Sequence, residues 1–360
     1  MQRLATRRLS TPNFVAQRSR IATRHLSTTS TEPSLATTLC GLKLPSCLFN
    51  SSNPFATALD DLMQLDASAA GAVATRTACP GFVHDDATMK WKSQDGANTI
   101  NCLGYSPNTF DYYCSSLATL KSSKPAWMSI SGYADQVASM LEKAGELSKS
   151  LPGGLAVEIN LSCPNIPGKP PISYDFEGME EYLRTAIGSA PAGLAVGVKT
   201  TPYFYEQQFD GAASVLNACD NLSFVTCINT VGNGLLIDVD SETPVLDPGS
   251  FGGLAGPAVQ GIALGNVRKL RQKLRPSIAV VGCGGVDSGE AAFKHLLCGA
   301  EGVMVASALL HEGPAVFARI EGELQAIMKA KGYSSIADFQ GKLRDGFVMD
   351  DAEELREAVA

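Results

Sequence analysis

A cysteine sits in the loop Asn160-Leu161-Ser162-Cys163-Pro164-Asn165-Ile166-Pro167-Gly168-Lys169-Pro170, and the next apolar run along the chain closes on Lys199. A proline-rich loop is not a core environment for a thiol. An ammonium nearby favours the thiolate, so Cys163 with Lys199 could act as a proton acceptor beside a fixed cation. Of the four histidines (His25, His84, His295 and His311) none ends such a run, which leaves no histidine base in view. Other runs end in or next to Arg76, Asn101, Ser131, Asn160 and Asn229. A single buried amide is often just a satisfied loop anchor. Several converging on one face suit a flat heterocycle, since each carboxamide offers donors and an acceptor to an alternating N–H and C=O edge. Two glycine-rich stretches, Phe251-Gly252-Gly253-Leu254-Ala255-Gly256 and Gly282-Cys283-Gly284-Gly285-Val286-Asp287-Ser288-Gly289, join Ala306-Ser307-Ala308 as places where bare backbone N–H groups could hold a phosphate. The glycines of the second stretch also fit a tight turn capped by Ser288. No Gly-x-Gly-x-x-Gly follows the first strand, which disfavours a dinucleotide fold.

Such residues need a frame, and the hydrophobic pattern supplies one. Short β-branched or small apolar runs recur at 71–75, 98–102, 127–131, 155–160, 194–199, 224–228, 278–281 and 302–305. Segments with apolar residues at three- and four-residue spacing separate most of them, at 134–150, 177–188, 209–219, 266–274, 288–297 and 314–329. Eight strands alternating with helices over about 250 residues is the expectation for a single (β/α)8 TIM barrel, with a doubly wound open sheet as the alternative. Barrel enzymes work at the C-terminal ends of their strands, where the polar residues above fall. The stretches 80–96 and 230–258 lack the rhythm and read as long loops over that face, lids or extra hairpins.

Composition narrows the partners. The chain has 360 residues, a net charge of −7 and no basic field for nucleic acid. No run approaches the roughly 20 apolar residues of a membrane span. Ten cysteines without a Cys-x-x-Cys pair argue against structural zinc, and Cys47, Cys227 and Cys298 read as small buried hydrophobes. The first 31 residues hold Arg3, Arg7, Arg8, Arg18, Arg20 and Arg24 with no acid. Such an N-terminus predicts a transit peptide over residues 1–33 and a mitochondrial location, with plastid or cytoplasmic as alternatives. The barrel is then expected over 34–345, followed by a tail over 346–360 that could be helical.

The loop from Asn160 to Pro170 closely resembles the active-site loop of class 1A dihydroorotate dehydrogenases, the soluble, homodimeric, fumarate-using branch of that family. Similarity continues through Gly197-Val198-Lys199, Pro202-Tyr203-Phe204, Asn229-Thr230-Val231-Gly232-Asn233-Gly234, Phe251-Gly252-Gly253, Gly284-Gly285 and Ser335 to Leu343. The resemblance implies FMN as cofactor, dihydroorotate and fumarate as substrates, and Cys163 as the base that removes the C5 proton while hydride leaves C6 for flavin N5. It implies that Asn101, Asn160, Asn165, Asn229 and Thr230 hold the pyrimidine edge, with backbone help from Leu103, Gly104 and Tyr105, and that Arg76 also touches the substrate. Lys199 would lie beside the flavin N1/O2 side, stabilising the reduced form. Gly253, Gly284, Gly285, Ala306 and Ser307 would line the phosphate pocket, with Ser52, Arg76, Thr77, Asn160, Ile228 and Gly252 completing the cofactor contacts.

Three departures accompany the resemblance. Thr75-Arg76-Thr77 stands where the family has Thr-Lys-Ser, and Arg for Lys is not conservative at a crowded site. Asn50-Ser51-Ser52-Asn53-Pro54 replaces Asn-Ala-Ser-Gly, and Tyr105-Ser106-Pro107-Asn108 replaces Leu-Pro-Asn. They leave room for two alternatives: a related flavin barrel acting on another pyrimidine or enoate, or a weakened flavin-binding paralogue.

Overall fold

A computed structural model describes residues 32–80, 91–93, 95–162, 171–246 and 251–344. The expected presequence, apart from Glu32 and Pro33, and the expected tail lie outside these residues. Eight parallel strands form a nearly closed barrel: β1 (Leu48–Asn50), β2 (Val73–Ala74), β3 (Ala126–Ile130), β4 (Leu155–Asn160), β5 (Ala195–Lys199), β6 (Phe224–Cys227), β7 (Ala279–Cys283) and β8 (Gly302–Val305). They are near-continuous apolar runs because each is buried on both faces, one towards the barrel axis and one towards the helices. Ala156, Ala195, Phe224 and Ala279 face the axis, while Val157, Ile159, Val196 and Val198 join the core under the helices.

The ring closes where β8 pairs with β1, Val303 opposite Leu48 and Val305 opposite Asn50. Between β1 and β2 side-chain bonds help hold the seam: Asn50 donates from Nδ2 to the Ala74 carbonyl at 2.7 Å and accepts from the Ala74 N–H at 2.8 Å. Inside, Trp127 packs between Phe49 and Phe224, with ring centroids 5.1 and 4.3 Å away. A hairpin of Thr37–Leu39 and Leu42–Leu44 adds Leu39 and Leu44 to this interior cluster. The barrel is therefore a packed core and not a pore. Above these rings lies the buried Glu158 carboxylate, which accepts from Trp127 Nε1 at 3.3 Å and Thr226 Oγ1 at 2.6 Å.

The helix layer includes α1 (Leu59–Ala67), α2 (Phe110–Ala118), α3 (Ala134–Ser148), α4 (Phe176–Ile187), α5 (Glu206–Ala218), α6 (Gln260–Lys273), α7 (Gly289–Cys298), α8 (Ser307–Glu312) and α9 (Ala315–Lys331). Their inner stripes follow helical spacing, as Val137, Met140, Leu141 and Ala144 do on α3. Ser288 caps α7 by accepting from the Ala291 N–H, as its sequence position suggests.

One strand expectation is corrected. Residues 98–102 were expected to form a barrel strand, but Thr99–Asn101 pairs antiparallel with Gly252–Ala255 and Trp91–Lys92, in a four-stranded sheet completed by Val231–Gly234. This small sheet stands over the mouth of the barrel, and the long loops of the sequence supply most of it. Leu48–Asn50 takes the vacated place as first barrel strand. Cys47, Cys227 and Cys298 are buried free thiols, as expected.

Candidate active site

The C-terminal strand ends and the overlying sheet enclose one cavity of about 560 Å³, within the size range of small-molecule sites. From β1 and β2 come Ser52, Arg76 and Thr77; Asn160 and Lys199 come from the ends of β4 and β5, and Ile228, Asn229 and Thr230 follow β6. Gly284 and Gly285 follow β7, Ala306 and Ser307 follow β8, and Asn101, Leu103, Gly104, Tyr105 and Gly253 come from the covering segment. Gly252 departs from the expectation: a Cβ there would meet the Asn101 carbonyl and the Leu246 and Ile100 side chains, so it packs within the small sheet. Cys163 and Asn165 lie outside the described residues; Ser162, the neighbour of Cys163, lines the cavity.

The amide wall is internally braced. Asn160 Oδ1 accepts from the Ser162 N–H at 3.1 Å, from Ser162 Oγ at 2.6 Å and from Asn229 Nδ2 at 3.3 Å. Asn229 Nδ2 also donates to Ser162 Oγ, and its Oδ1 accepts from the Thr230 N–H at 2.8 Å. Fixing both carboxamides in this way sets which edge each offers to a ligand. Lys199, only 4% exposed, donates from Nζ to Ser51 Oγ at 3.0 Å. Arg76 is also buried, its backbone N–H on the Ala56 carbonyl at 3.0 Å and its Nη1 3.4 Å from Thr57 Oγ1.

The glycine turn after β7 shows how an anion would be held. Gly284 and Gly285 have φ values of +124° and +71°, a conformation that side-chain-bearing residues adopt at a cost. The Gly284 carbonyl accepts from His295 Nε2 at 3.0 Å and the Gly285 carbonyl from Gln260 Nε2 at 2.8 Å. Across a planar trans peptide the carbonyl and the next N–H point opposite ways. With both carbonyls drawn back towards α6 and α7, the Gly285 and Val286 N–H groups turn to the cavity, which both residues line. On the other side Ser307, first residue of α8, shares a hydrogen bond of 2.9 Å with Thr99 Oγ1 of the small sheet.

Several lining residues escaped the sequence reading. Ser51 follows a strand too short to notice, and Thr99 and Trp91 enter through the covering sheet. Tyr105 was expected to contribute through its backbone, yet its hydroxyl also accepts from Ser131 Oγ at 3.0 Å.

Barrels that build an anion cradle after their last two strands are enzymes that anchor a ligand or cofactor by its phosphate, and the amide wall facing this cradle suits a flat heterocycle. A sequence profile of the dihydroorotate dehydrogenase family matches residues 34–328. The chain is 40% identical over 304 residues to the dihydroorotate dehydrogenase (fumarate) of Trypanosoma cruzi, covering 81% of this chain and 95% of that protein. It is 40% identical over 319 residues to dihydroorotate dehydrogenase A (fumarate) of Lactococcus lactis subsp. cremoris MG1363, covering 86% and 99%. The chain belongs to the dihydroorotate dehydrogenase family.

That family is FMN-dependent, and the cavity fits the cofactor: the N–H groups after β7 would meet its phosphate, and the turn that presents them leaves no room for a Cβ at Gly285. The mitochondrial expectation is overturned by the relatives the chain matches, which are bacterial and trypanosomal proteins named as dihydroorotate dehydrogenase (fumarate). An Arg-rich, acid-free composition is shared by transit peptides and by plain solvated tails, so it could not separate the two.

Proposed function

We infer that the protein oxidises dihydroorotate to orotate for pyrimidine biosynthesis and passes the electrons to fumarate. The observation that carries this reading is one cavity in which the braced Asn160–Ser162–Asn229 wall, the Lys199 ammonium and the glycine cradle face one another. FMN, when bound, supplies the hydride acceptor for C6 and the donor for fumarate. Asn101, Asn160, Asn229 and Thr230 present donors and acceptors to the pyrimidine edge and fix which face of the ring meets the cofactor, with Asn165 in the same set. Cys163, next after the cavity-lining Ser162, takes the C5 proton as thiolate. Lys199 offers a fixed cation where negative charge collects on reduction; Ser51 aims it and burial keeps water from screening it.

Fumarate is a planar dicarboxylate of about the width of part of orotate, and it uses the same mouth. Arg76 can meet a carboxylate with two parallel N–H bonds where lysine would bring a point charge. Steady-state assay should give ping-pong kinetics with dihydroorotate and fumarate, and acid should release FMN. Arg76→Lys should change either half-reaction by no more than about tenfold, or about 1.4 kcal/mol. Reduction by dihydroorotate without reoxidation by millimolar fumarate, alongside rapid turnover with a quinone, would sink the assignment of acceptor.

The protein is further read as a homodimer. The hairpin Ile237–Asp238/Thr243–Pro244 carries Ile237, 53% exposed, with Val239 in its turn at 81%, a concentration of exposed apolar surface that a second copy would cover. Light scattering should give twice the 37.8 kDa chain mass; a monomer at micromolar concentration would refute it.

A further inference from the structure

His295 is fully buried between α7 and β7, and among the described residues no carboxylate is bonded to it. Its Nε2 lies 3.0 Å from the Gly284 carbonyl. A carbonyl only accepts, so Nε2 carries the ring proton. Nδ1 is then a bare acceptor, and among the described residues it is buried with no hydrogen-bond partner. Burial holds the imidazole far below its ordinary value, at about 4, so the ring is neutral at physiological pH. Room for it comes from Gly282, where a Cβ would stand 2.5 Å from Nδ1.

An apolar side chain of the same size would fill this space without leaving a buried nitrogen unsatisfied, a loss of free energy that packing alone gives no reason to accept. What an apolar residue could not do is donate to Gly284. That single bond fixes the peptide plane whose opposite edge is the Gly285 N–H, facing the cavity.

We propose that His295 is a positioning residue for the phosphate cradle: through Nε2–H it orients the Gly284–Gly285 peptide so that the Gly285 N–H meets the cofactor's phosphate, without itself touching the cofactor. The proposal rests on the reading of the cavity as an FMN site. Gln260 performs the same service for the next peptide, donating to the Gly285 carbonyl at 2.8 Å. Two consecutive carbonyls are thus tied back from two different helices, α6 and α7. A turn with both glycines at positive φ has little rigidity of its own, so its orientation has to come from such external bonds.

The test compares FMN with riboflavin, which shares the ring system and lacks the phosphate, each titrated into full-length chain stripped of flavin and followed by flavin fluorescence. Wild-type protein should hold FMN far more tightly than riboflavin; equal affinities would refute the FMN reading itself and not merely the role of His295. In His295→Leu the FMN Kd should rise about tenfold, the size of one lost buried hydrogen bond, with the riboflavin Kd unchanged. His295→Gln, whose amide can still reach the carbonyl, should recover FMN binding to within about threefold of wild type. An equal loss of both flavins in His295→Leu, an FMN affinity within twofold of wild type, or no recovery in His295→Gln would each overturn the proposal. If His295→Leu does not fold, ¹⁵N NMR of the wild-type holoenzyme decides. A proton on Nε2 and none on Nδ1 at neutral pH supports the role, and the opposite tautomer removes it.

Discussion

Cys163→Ala will leave the protein yellow and slow its reduction by dihydroorotate at least about a hundredfold, the usual cost of a lost general base. The retained colour is expected from geometry, because the proposed cofactor cradle draws on cavity-lining residues at the ends of β7 and β8 and on Gly253, none of which belongs to the loop after β4. The slowed reduction follows from chemistry, since the carboxamides that hold the substrate edge cannot take up a carbon-bound proton. Cys163→Ser should keep only a remnant of the rate, because a hydroxyl is a far weaker acid than a thiol with a reference pKa of about 8.5. Stopped-flow absorbance of the flavin during a single anaerobic reduction isolates this half-reaction from turnover with fumarate. Reduction of Cys163→Ala at a rate near wild type would show that the proton goes elsewhere.

Gly285→Val should do the reverse, destroying cofactor binding in a chain that still folds. The residue sits at φ +71°, and a Cβ there would stand 2.5 Å from Gln260 Cβ and 2.7 Å from Gln260 Cα. The nearest obstacle is the start of a helix, so relief requires α6 to move or the turn to flip. Either movement takes the Gly285 and Val286 N–H groups off the phosphate. Two hydrogen bonds to a charged group, at about 1.5–3 kcal/mol each, correspond to a loss of FMN affinity of at least about a hundredfold. The ratio of flavin to protein after purification reads this directly. Gly265→Ala is the matched control, on the same helix with nothing within 4 Å of the added carbon; it should bind FMN normally. Equal flavin content in Gly285→Val and wild type would mean that the phosphate lies elsewhere.

The barrel was legible where strands are long and doubly buried. The runs at 155–160 and 302–305 occur with the bounds read from sequence, because a continuous apolar run between helical segments has few other uses. Leu48–Asn50 was not legible: three residues carry no period, and they become a strand through pairing with Val303–Val305 at the far end of the chain. Thr99–Asn101 misled for the complementary reason, since its β-branched character is genuine but its partner is Gly253–Ala255 and not a barrel neighbour. Pairing partners are tertiary information, and propensity does not contain them.

The same division runs through the site. Amides and cations at strand ends were visible because a barrel sends every such residue to one face. The hydroxyl bond from Thr99 to Ser307 spans 208 positions and left no trace in the sequence. Nor did the bond from His295 to Gly284, which lies within a single βα unit but turns on the direction of one ring. Arg76 was visible as a departure from the family, and its enclosure by the segment at Ala56 and Thr57 was not.

The seam between β8 and β1 also governs the order of events during synthesis. The first barrel strand leaves the ribosome early, and the strand that pairs with its outer edge is the last of the eight to be made. Until then β1 presents unpaired backbone groups, the kind of edge that invites association between nascent chains. The phosphate cradle is later still, because Ala306 and Ser307 follow that final strand. Flavin bound at that cradle would then stabilise the completed fold by mass action, because the cradle exists only once β8 is in place.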